Sequence, residues 1–411
     1  MKGTGEVIGV VDFGTTKVVI LVAQVEKDGR LTVLGVGSAP CEEGLRMGMV
    51  IAIGKVVDAL RKARADAEKM SDCLISEVIV GVGGTHVAGV NNQAMVSPKG
   101  EITREDVERV LRLAGKLALP VDRKVMDILP RQYVVNEHDG IQDPVGMVGV
   151  RLDAEVHLVT ASTSALDNLK RCCERAGLRV RQFVANPVAS AMAVLEDHER
   201  ELGAAVVDLG GGTTQLTIWR GGRLVHTRVI GLGGELVTRD IALGLRLPVS
   251  MAEDLKVRHG NAWTELVQAG EQVALPAYGP RGGQNLGRRV LTEIIEPRVI
   301  EILKAVEREI QQAQGQDMLA AGVVLTGGGS QLEGVVEFAQ EVLNLPVRQG
   351  TARDTGSLGE MLASPIYATA YGLALFKSLA WREDIPYSMR PVSETERQPG
   401  WWGRVMRFFG M

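Results

Sequence analysis

Ile8-Gly9-Val10-Val11-Asp12-Phe13-Gly14-Thr15-Thr16 and Ala205-Val206-Val207-Asp208-Leu209-Gly210-Gly211-Gly212-Thr213-Thr214 share one pattern, and the repeat decides the fold. Each is an apolar strand ending in Asp, then a Gly-rich turn, paired threonines and a second apolar strand. Such a segment reads as a β-hairpin whose tight turn needs glycine, because positive φ and close backbone approach are inexpensive only without a Cβ. A repeat in the two halves predicts two related lobes, each offering one turn to a common cleft.

The chemistry of these turns points to polyphosphate. A carboxylate at a strand end can orient Mg²⁺ or its waters, while amides of the adjoining Gly/Thr turn meet phosphate oxygens. A third loop, Thr326-Gly327-Gly328-Gly329-Ser330, follows the strand Val323-Val324-Leu325 and precedes a helix predicted to begin near Gln331. Its glycines would let a base and sugar approach the backbone. The chain has no Gly-x-x-x-x-Gly-Lys-[Ser/Thr] loop, and Gly81-Val82-Gly83-Gly84-Thr85-His86 fails the dinucleotide fingerprint, with His86 where the third glycine belongs.

Composition sets the limits. At 411 residues the chain exceeds what one core usually serves. The 46 basic and 50 acidic residues leave a net charge of -4, which gives no global field for nucleic acid, and none is expected as a partner. Hydrophobic residues make up 45% and aromatics 4%, as in α/β proteins whose buried strands use Val, Ile and Leu. Cys41, Cys73, Cys172 and Cys173 form no Cys-x-x-Cys pair and read as reduced thiols. Met1-Lys2 leads into a strand without a secretory-signal pattern, and no run approaches the roughly 18 apolar residues of a membrane span. A cytoplasmic location is the expectation.

Between the two repeats, Thr103 with Asp106 resembles a capping box. Val107, Val110, Leu111, Ala114, Leu117 and Ala118 recur at helical spacing, and strand-like stretches follow around 125–135 and 156–160. These predict a small α+β domain over 84–162. Ile294, Val299, Ile302, Leu303 and Val306 give an amphipathic pattern in a second insert over 244–319. The stretch 382–400 is polar, holds Pro386, Pro391 and Pro399, and reads as a flexible linker. Beyond it, on a wheel at about 100° per residue, Trp401, Trp402, Val405, Met406, Phe408 and Phe409 share one arc, with Arg404 and Arg407 opposite. That suits a helix lying in a membrane interface, rings among acyl chains and arginines at anionic headgroups.

Asp12 to Lys17 resembles the phosphate-1 motif of the actin, Hsp70 and sugar-kinase superfamily, Asp208 to Thr214 its phosphate-2 motif, and Gly327 to Gly329 its adenosine motif. Asn186-Pro187-Val188-Ala189-Ser190-Ala191 and 365–372 resemble its two connecting helices. Within the superfamily the likeness is to the FtsA family of bacterial cell division proteins and covers nearly the whole chain. It includes Asp143-Pro144-Val145-Gly146-Met147, Val156-His157-Leu158-Val159-Thr160 and 252–260.

The resemblance implies an α/β, actin-like two-lobed ATPase fold with duplicated ribonuclease-H-like lobes. The first lobe would take 1–83, 163–199 and 365–381, with 84–162 as its insert; the second would take 200–243 and 320–364, with 244–319 as its helical subdomain and 401–411 as a C-terminal amphipathic helix. Asp12 and Asp208 would hold Mg²⁺ through water, and Gly14, Thr15, Thr16, Lys17, Gly210, Gly211, Gly212 and Thr213 the phosphates of ATP. Glu253, Lys256, Gly327, Gly328 and Gly329 would meet the adenosine. Glu253 and Lys256 read equally well as a solvated i, i+3 ion pair, and Lys17 as a surface lysine. Asn186 stands where Hsp70-like members carry an acidic residue; it could position water without accepting its proton, so slow hydrolysis at most is expected.

The family likeness further implies head-to-tail polymerisation at the cytoplasmic face of the membrane and anchoring of the FtsZ ring. The FtsZ C-terminal tail would dock near Arg288, Arg289 and Arg298, which read as readily as a solvated basic face; later divisome proteins would meet the 84–162 insert. A small-molecule kinase or phosphatase of the superfamily and a pilus-assembly scaffold of related architecture stand as alternatives. Neither calls for the terminal apolar and basic segment.

Overall fold

The computed structural model describes residues 5–26, 30–41, 43–275, 284–313, 319–353, 359–378 and 392–393. The anticipated terminal helix 401–411 and most of the linker 382–400 lie outside them.

The chain opens with the hairpin β1 (Glu6–Phe13) and β2 (Lys17–Val25), then β3 (Leu31–Pro40), helix α1 (Ile53–Ser71) and β4 (Glu77–Val82). The insert follows: β5 (Ala88–Val96), α2 (Arg104–Ala114), β6 (Arg123–Val135), β7 (His138–Ile141) and β8 (Leu152–Ser162). The chain returns through α3 (Thr163–Arg175), β9 (Arg179–Ala185) and α4 (Asn186–Val194). A second hairpin, β10 (Ala204–Leu209) and β11 (Thr214–Arg220), leads to β12 (Arg223–Ile230), α5 (Gly234–Leu245), α6 (Val249–His259) and α7 (Arg288–Gln312). Strand β13 (Gly322–Thr326), α8 (Val335–Leu343), β14 (Val347–Gln349), α9 (Ala368–Ser378) and β15 (Val392–Ser393) complete the main elements.

The first lobe is a five-stranded sheet in the order β9-β4-β1-β2-β3. Its central strands are Val- and Ile-rich and buried, with Val10, Val11, Ile20 and Val80 at 0% exposure, as strands covered on both faces must be. In the second lobe β10 pairs antiparallel with β11 and parallel with β13, so its hairpin sits in its sheet as β1 and β2 sit in theirs. The two Asp-bearing strand ends thereby occupy equivalent places.

The insert has its own core, in which Ile102, Val107, Val110, Ile128 and Tyr133 are buried. Helix α2 covers it, started by a reciprocal Thr103 and Asp106 capping box of the kind its sequence predicts. Its sheet does not stand apart: Ala88 of β5 pairs with Arg228 of β12, and the order β7-β6-β8-β5-β12-β11-β10-β13-β14 runs from insert into second lobe. In α7, Leu291, Ile295, Val299, Ile302, Leu303, Val306 and Ile310 face inward, while Ile294 is only partly buried. After the Gly327 loop a 3-10 turn intervenes, so the helix anticipated near Gln331 starts at Val335.

Helices α4 and α9 link the lobes and pack on small residues. Eight of nine residues of α4 are buried, and a Cβ on Gly372 of α9 would lie 1.8 Å from the carbonyl oxygen of Ala189. The helices can cross this closely only because position 372 has no side chain. Gly372→Ala is therefore expected to destabilise the protein by roughly 1–3 kcal/mol, read as a lowered urea midpoint at unchanged m-value. An unshifted midpoint would show that the crossing has slack.

Candidate functional site

The two hairpins meet tip to tip across the cleft. A Cβ on Gly211 would fall 2.6 Å from Thr16 Cγ2, and one on Gly212 would fall 2.5 Å from Thr15 Oγ1. The glycines thus keep opposed turns close enough to enclose one small polyanion, with backbone N–H groups on both sides. A polar cavity of about 220 Å³ lies between them; Asp12, Thr15, Lys17, Asn186, Asp208 and Gln215 are among its lining.

Asp12 and Asp208 face this cavity from opposite lobes. Asp12 keeps some accessible surface toward the cleft, whereas Asp208 is 6% exposed. Burial, then the charge of Asp208, push the Asp12 carboxyl up to about 7; the Asn186 amide and Lys17 oppose the shift. Burial likewise raises Asp208, against hydroxyl bonds from Thr369 and Ser190. Asn186 Nδ2 donates to Asp12 Oδ1 at 2.9 Å, and Thr369 Oγ1 donates to Asp208 Oδ2 at 2.9 Å. Each carboxylate is therefore oriented by a residue of a linking helix, α4 or α9. Two facing carboxylates that both resist ionisation form a site that a divalent cation would satisfy.

Lys17 places its ammonium 4.9 Å from the Tyr367 ring centroid. Desolvation lowers its pKa, and Asp12 opposes that shift. Gly327 has φ of +78°, and a Cβ there would lie 2.1 Å from Asp208 Oδ1, so this loop needs glycine twice over.

The polar cavity adjoins a second one of about 270 Å³; Thr16, Gly210, Gly211, Gly328 and Ile366 border both. Its walls are mostly apolar, formed by Leu209, Val237, Val299, Ile302 and Leu303 together with Gly328 and Gly329. Glu253 and Lys256 stand at its rim. Lys256 Nζ donates to Glu253 Oε2 at 2.7 Å, to Thr238 Oγ1 at 2.8 Å and to Gly234 O at 3.2 Å, and Thr238 also donates to Glu253. The pair is thus built into a network between α5 and α6 rather than free on a helix surface.

Two site features escaped the sequence reading. Gln215 is the second residue of β11, two positions after Thr213 at the end of the turn, a period-2 spacing that could have found it. Its Oε1 and the Oδ1 of Asn186 are buried acceptors with no hydrogen-bond partner among the described residues. The apolar wall from α5 and α7 could not be found locally, since those residues also read as ordinary core.

The three arginines singled out from the sequence sit on α7 in different company. Arg288 bonds His259 O, Glu271 and Glu333, and Arg298 holds Asp240 through two nitrogens and also Glu301. Arg289 projects outward, its side chain 64% exposed, with Glu293 at 3.5 Å. The membrane-directed residues Trp401 to Phe409 lie outside the described residues.

A family model for the cell division protein FtsA matches residues 205–372, and one for the SHS2 domain inserted in FtsA matches residues 84–160. The chain is 40% identical to the cell division protein FtsA of Pseudomonas aeruginosa over 397 residues, 96% of this chain and 95% of that one. It is 40% identical to the protein of the same name from Escherichia coli K12, with 88% of each chain covered. Among solved structures, the PilM-PilN type IV pilus biogenesis complex aligns with TM-score 0.65 at 18% identity, over 92% of this chain and 98% of that one. MreB5 of Spiroplasma citri bound to ADP aligns with TM-score 0.55 at 14% identity, over 92% and 98%. At such identities these two speak for the fold. Two lobes with duplicated Asp-Gly-Thr hairpins, an SHS2 insert and sustained identity over almost the whole chain lead to one conclusion: this chain belongs to the FtsA family of cell division proteins and has its actin-like ATPase fold.

Proposed function

We propose that this cell division protein binds ATP with Mg²⁺ between its lobes, polymerises head to tail on the cytoplasmic face of the membrane, and anchors the FtsZ ring there. The observation that carries the nucleotide reading is the pair of facing, desolvated carboxylates beside a glycine cradle that opens into an apolar cavity. MreB5 of Spiroplasma citri, of the same fold, has been solved with ADP and with AMPPNP.

The donor set fits a hard divalent cation: two carboxylates and the unpartnered Asn186 and Gln215 oxygens are all oxygen ligands or acceptors for its waters. Bound there, Mg²⁺ would neutralise phosphate charge. Asp12 and Asp208 would orient it, while Thr15, Thr16, Gly14 and Lys17 on one lobe and Gly210, Gly211, Gly212 and Thr213 on the other meet the phosphates. Gly327, Gly328 and Gly329 with the apolar wall would take the base and sugar, with Glu253 and Lys256 at the rim. Asn186 and Gln215 can accept hydrogen bonds from a water in the polar cavity, but an amide cannot remove its proton, so hydrolysis is slow at most.

The terminal stretch 401–411 supplies the attachment to anionic lipid. One copy holds weakly, because partial immersion of its rings is offset by ordering a short helix. Copies linked in a polymer gain avidity of roughly 10² or more. FtsZ would dock its C-terminal tail on the second lobe, where Arg289 offers exposed positive charge on α7, and later divisome proteins would meet the insert.

Three outcomes test this reading. Asp12 binds its proton up to about pH 7 when folded, against an ordinary value of 3.8, so between these values the folded chain holds more protons and apo stability falls as pH rises. Over the same window Mg·ATP must displace that proton, and its thermal stabilisation should be larger at pH 8 than at pH 6. Asp12→Asn should flatten the apo pH dependence and, like Asp208→Asn, abolish the Mg·ATP shift; a shift retained in both variants would refute the clamp.

Trp401→Ala/Phe408→Ala should lose co-sedimentation with phosphatidylglycerol vesicles, whereas undiminished pelleting would remove 401–411 from the function. Arg289→Glu should weaken capture of an FtsZ C-terminal peptide several-fold, and unchanged affinity would place the dock elsewhere.

A further inference from the structure

Strand β6 is paired along one side by β8, from Arg123 opposite Ser162 to Val135 opposite Leu152. On its other side β7 takes up only Tyr133 and Val135. The stretch before them is a sheet edge, whose N–H and C=O groups are a template for an added strand. Residues from the far end of the chain occupy it: Val392 pairs antiparallel with Ile128, and Ser393 with Asp127. The side chains at the receiving positions, Asp127 and Ile128, are both at 0% exposure.

Prolines bound the contact at one end. Pro130 follows Ile128 by two positions in β6, and Pro391 immediately precedes Val392; neither has an N–H to donate to a ladder. In the antiparallel register both prolines fall on the same side of the pair, so the sequence discourages the ladder from extending back past Val392.

We propose that Val392–Ser393 is a built-in docking strand, by which the chain's own C-terminal segment closes the β6 edge of the insert and fixes where residues 401–411 leave the body. The pairing stands on its own, while its consequence at lipid rests on the membrane reading above. The seven residues 394–400 separate Ser393 from Trp401 and span at most roughly 25 Å. Counted from Ser378 at the end of α9, the undocked segment 379–400 would reach roughly 75 Å when extended. Docking therefore shortens the leash about threefold and sets the anchor beside the insert, so the β6 edge faces the bilayer. A two-residue ladder is readily reversed, and its release would return the anchor to the long leash.

The test compares the full chain with its Val392→Pro/Ser393→Pro form by hydrogen exchange without lipid, following peptides over 125–129. The proposal expects those peptides to exchange on the order of tenfold faster in the variant, with β8 peptides unchanged and wild-type protection independent of protein concentration. Equal exchange in the two proteins would overturn it. So would protection that grows with concentration, which would assign the edge to a second copy. On phosphatidylglycerol vesicles with spin-labelled lipid, a fluorophore at Asp139 of the insert should be quenched more than one at Gln268 of the second lobe, and the double-proline variant should lose this bias. If 401–411 fails to bind vesicles, only the lipid consequence falls, because the lipid-free exchange decides the docking by itself.

Discussion

The structure turns on an electrostatic conflict: two carboxylates from different lobes, Asp208 buried and Asp12 partly so, are held facing each other. Each belongs to a strand end that its sheet fixes firmly, β1 between β2 and β4, β10 between β11 and β13. These ladders fix where the backbone of each aspartate stands. The cost of the facing charges is met partly by raising the protonated fraction of Asp12 and partly by the donors Asn186 and Thr369. A cation between them would resolve the conflict in full, and would bind the lobes to each other in doing so.

The linking helices make that coupling mechanical. Asn186 begins α4 and Thr369 lies in the first turn of α9, so the residues that orient the two carboxylates sit on the elements that join the lobes. Gly372 lets those helices cross in close contact with Ala189. The cleft carboxylates and the crossing of the two helices are thus joined by hydrogen bonds and close-packed backbone. The continuation of the insert's sheet into the second lobe, through Ala88 and Arg228, gives the insert a second attachment besides its covalent one.

Much of this was legible in the sequence because it is written locally and twice. Asp12-Phe13-Gly14-Thr15-Thr16 and its counterpart at Asp208 encode strand, turn and strand within short spans, and the glycines are needed where the opposed turn arrives. The Thr103 capping box and the period of α7 were likewise local. What stayed hidden depends on contacts between distant segments. Gln215 reads as one polar residue in a strand until Asn186 comes alongside Gly83 next to it. Val237, Val299, Ile302 and Leu303 are core residues by pattern and cavity wall by position. Arg288 and Arg298 read as part of a basic face, yet each meets carboxylates from elsewhere in the second lobe. Sheet joining and strand docking are longer-range still, since nothing near Ala88 or Val392 names its partner.

The most direct measurement of the central claim is hydrogen exchange of peptides spanning 9–18 and 205–216, with and without Mg·ATP. If one metal–triphosphate group is held by both hairpins, the two peptides should gain protection together and at the same nucleotide concentration. Protection of one hairpin alone, or of neither, would contradict the account.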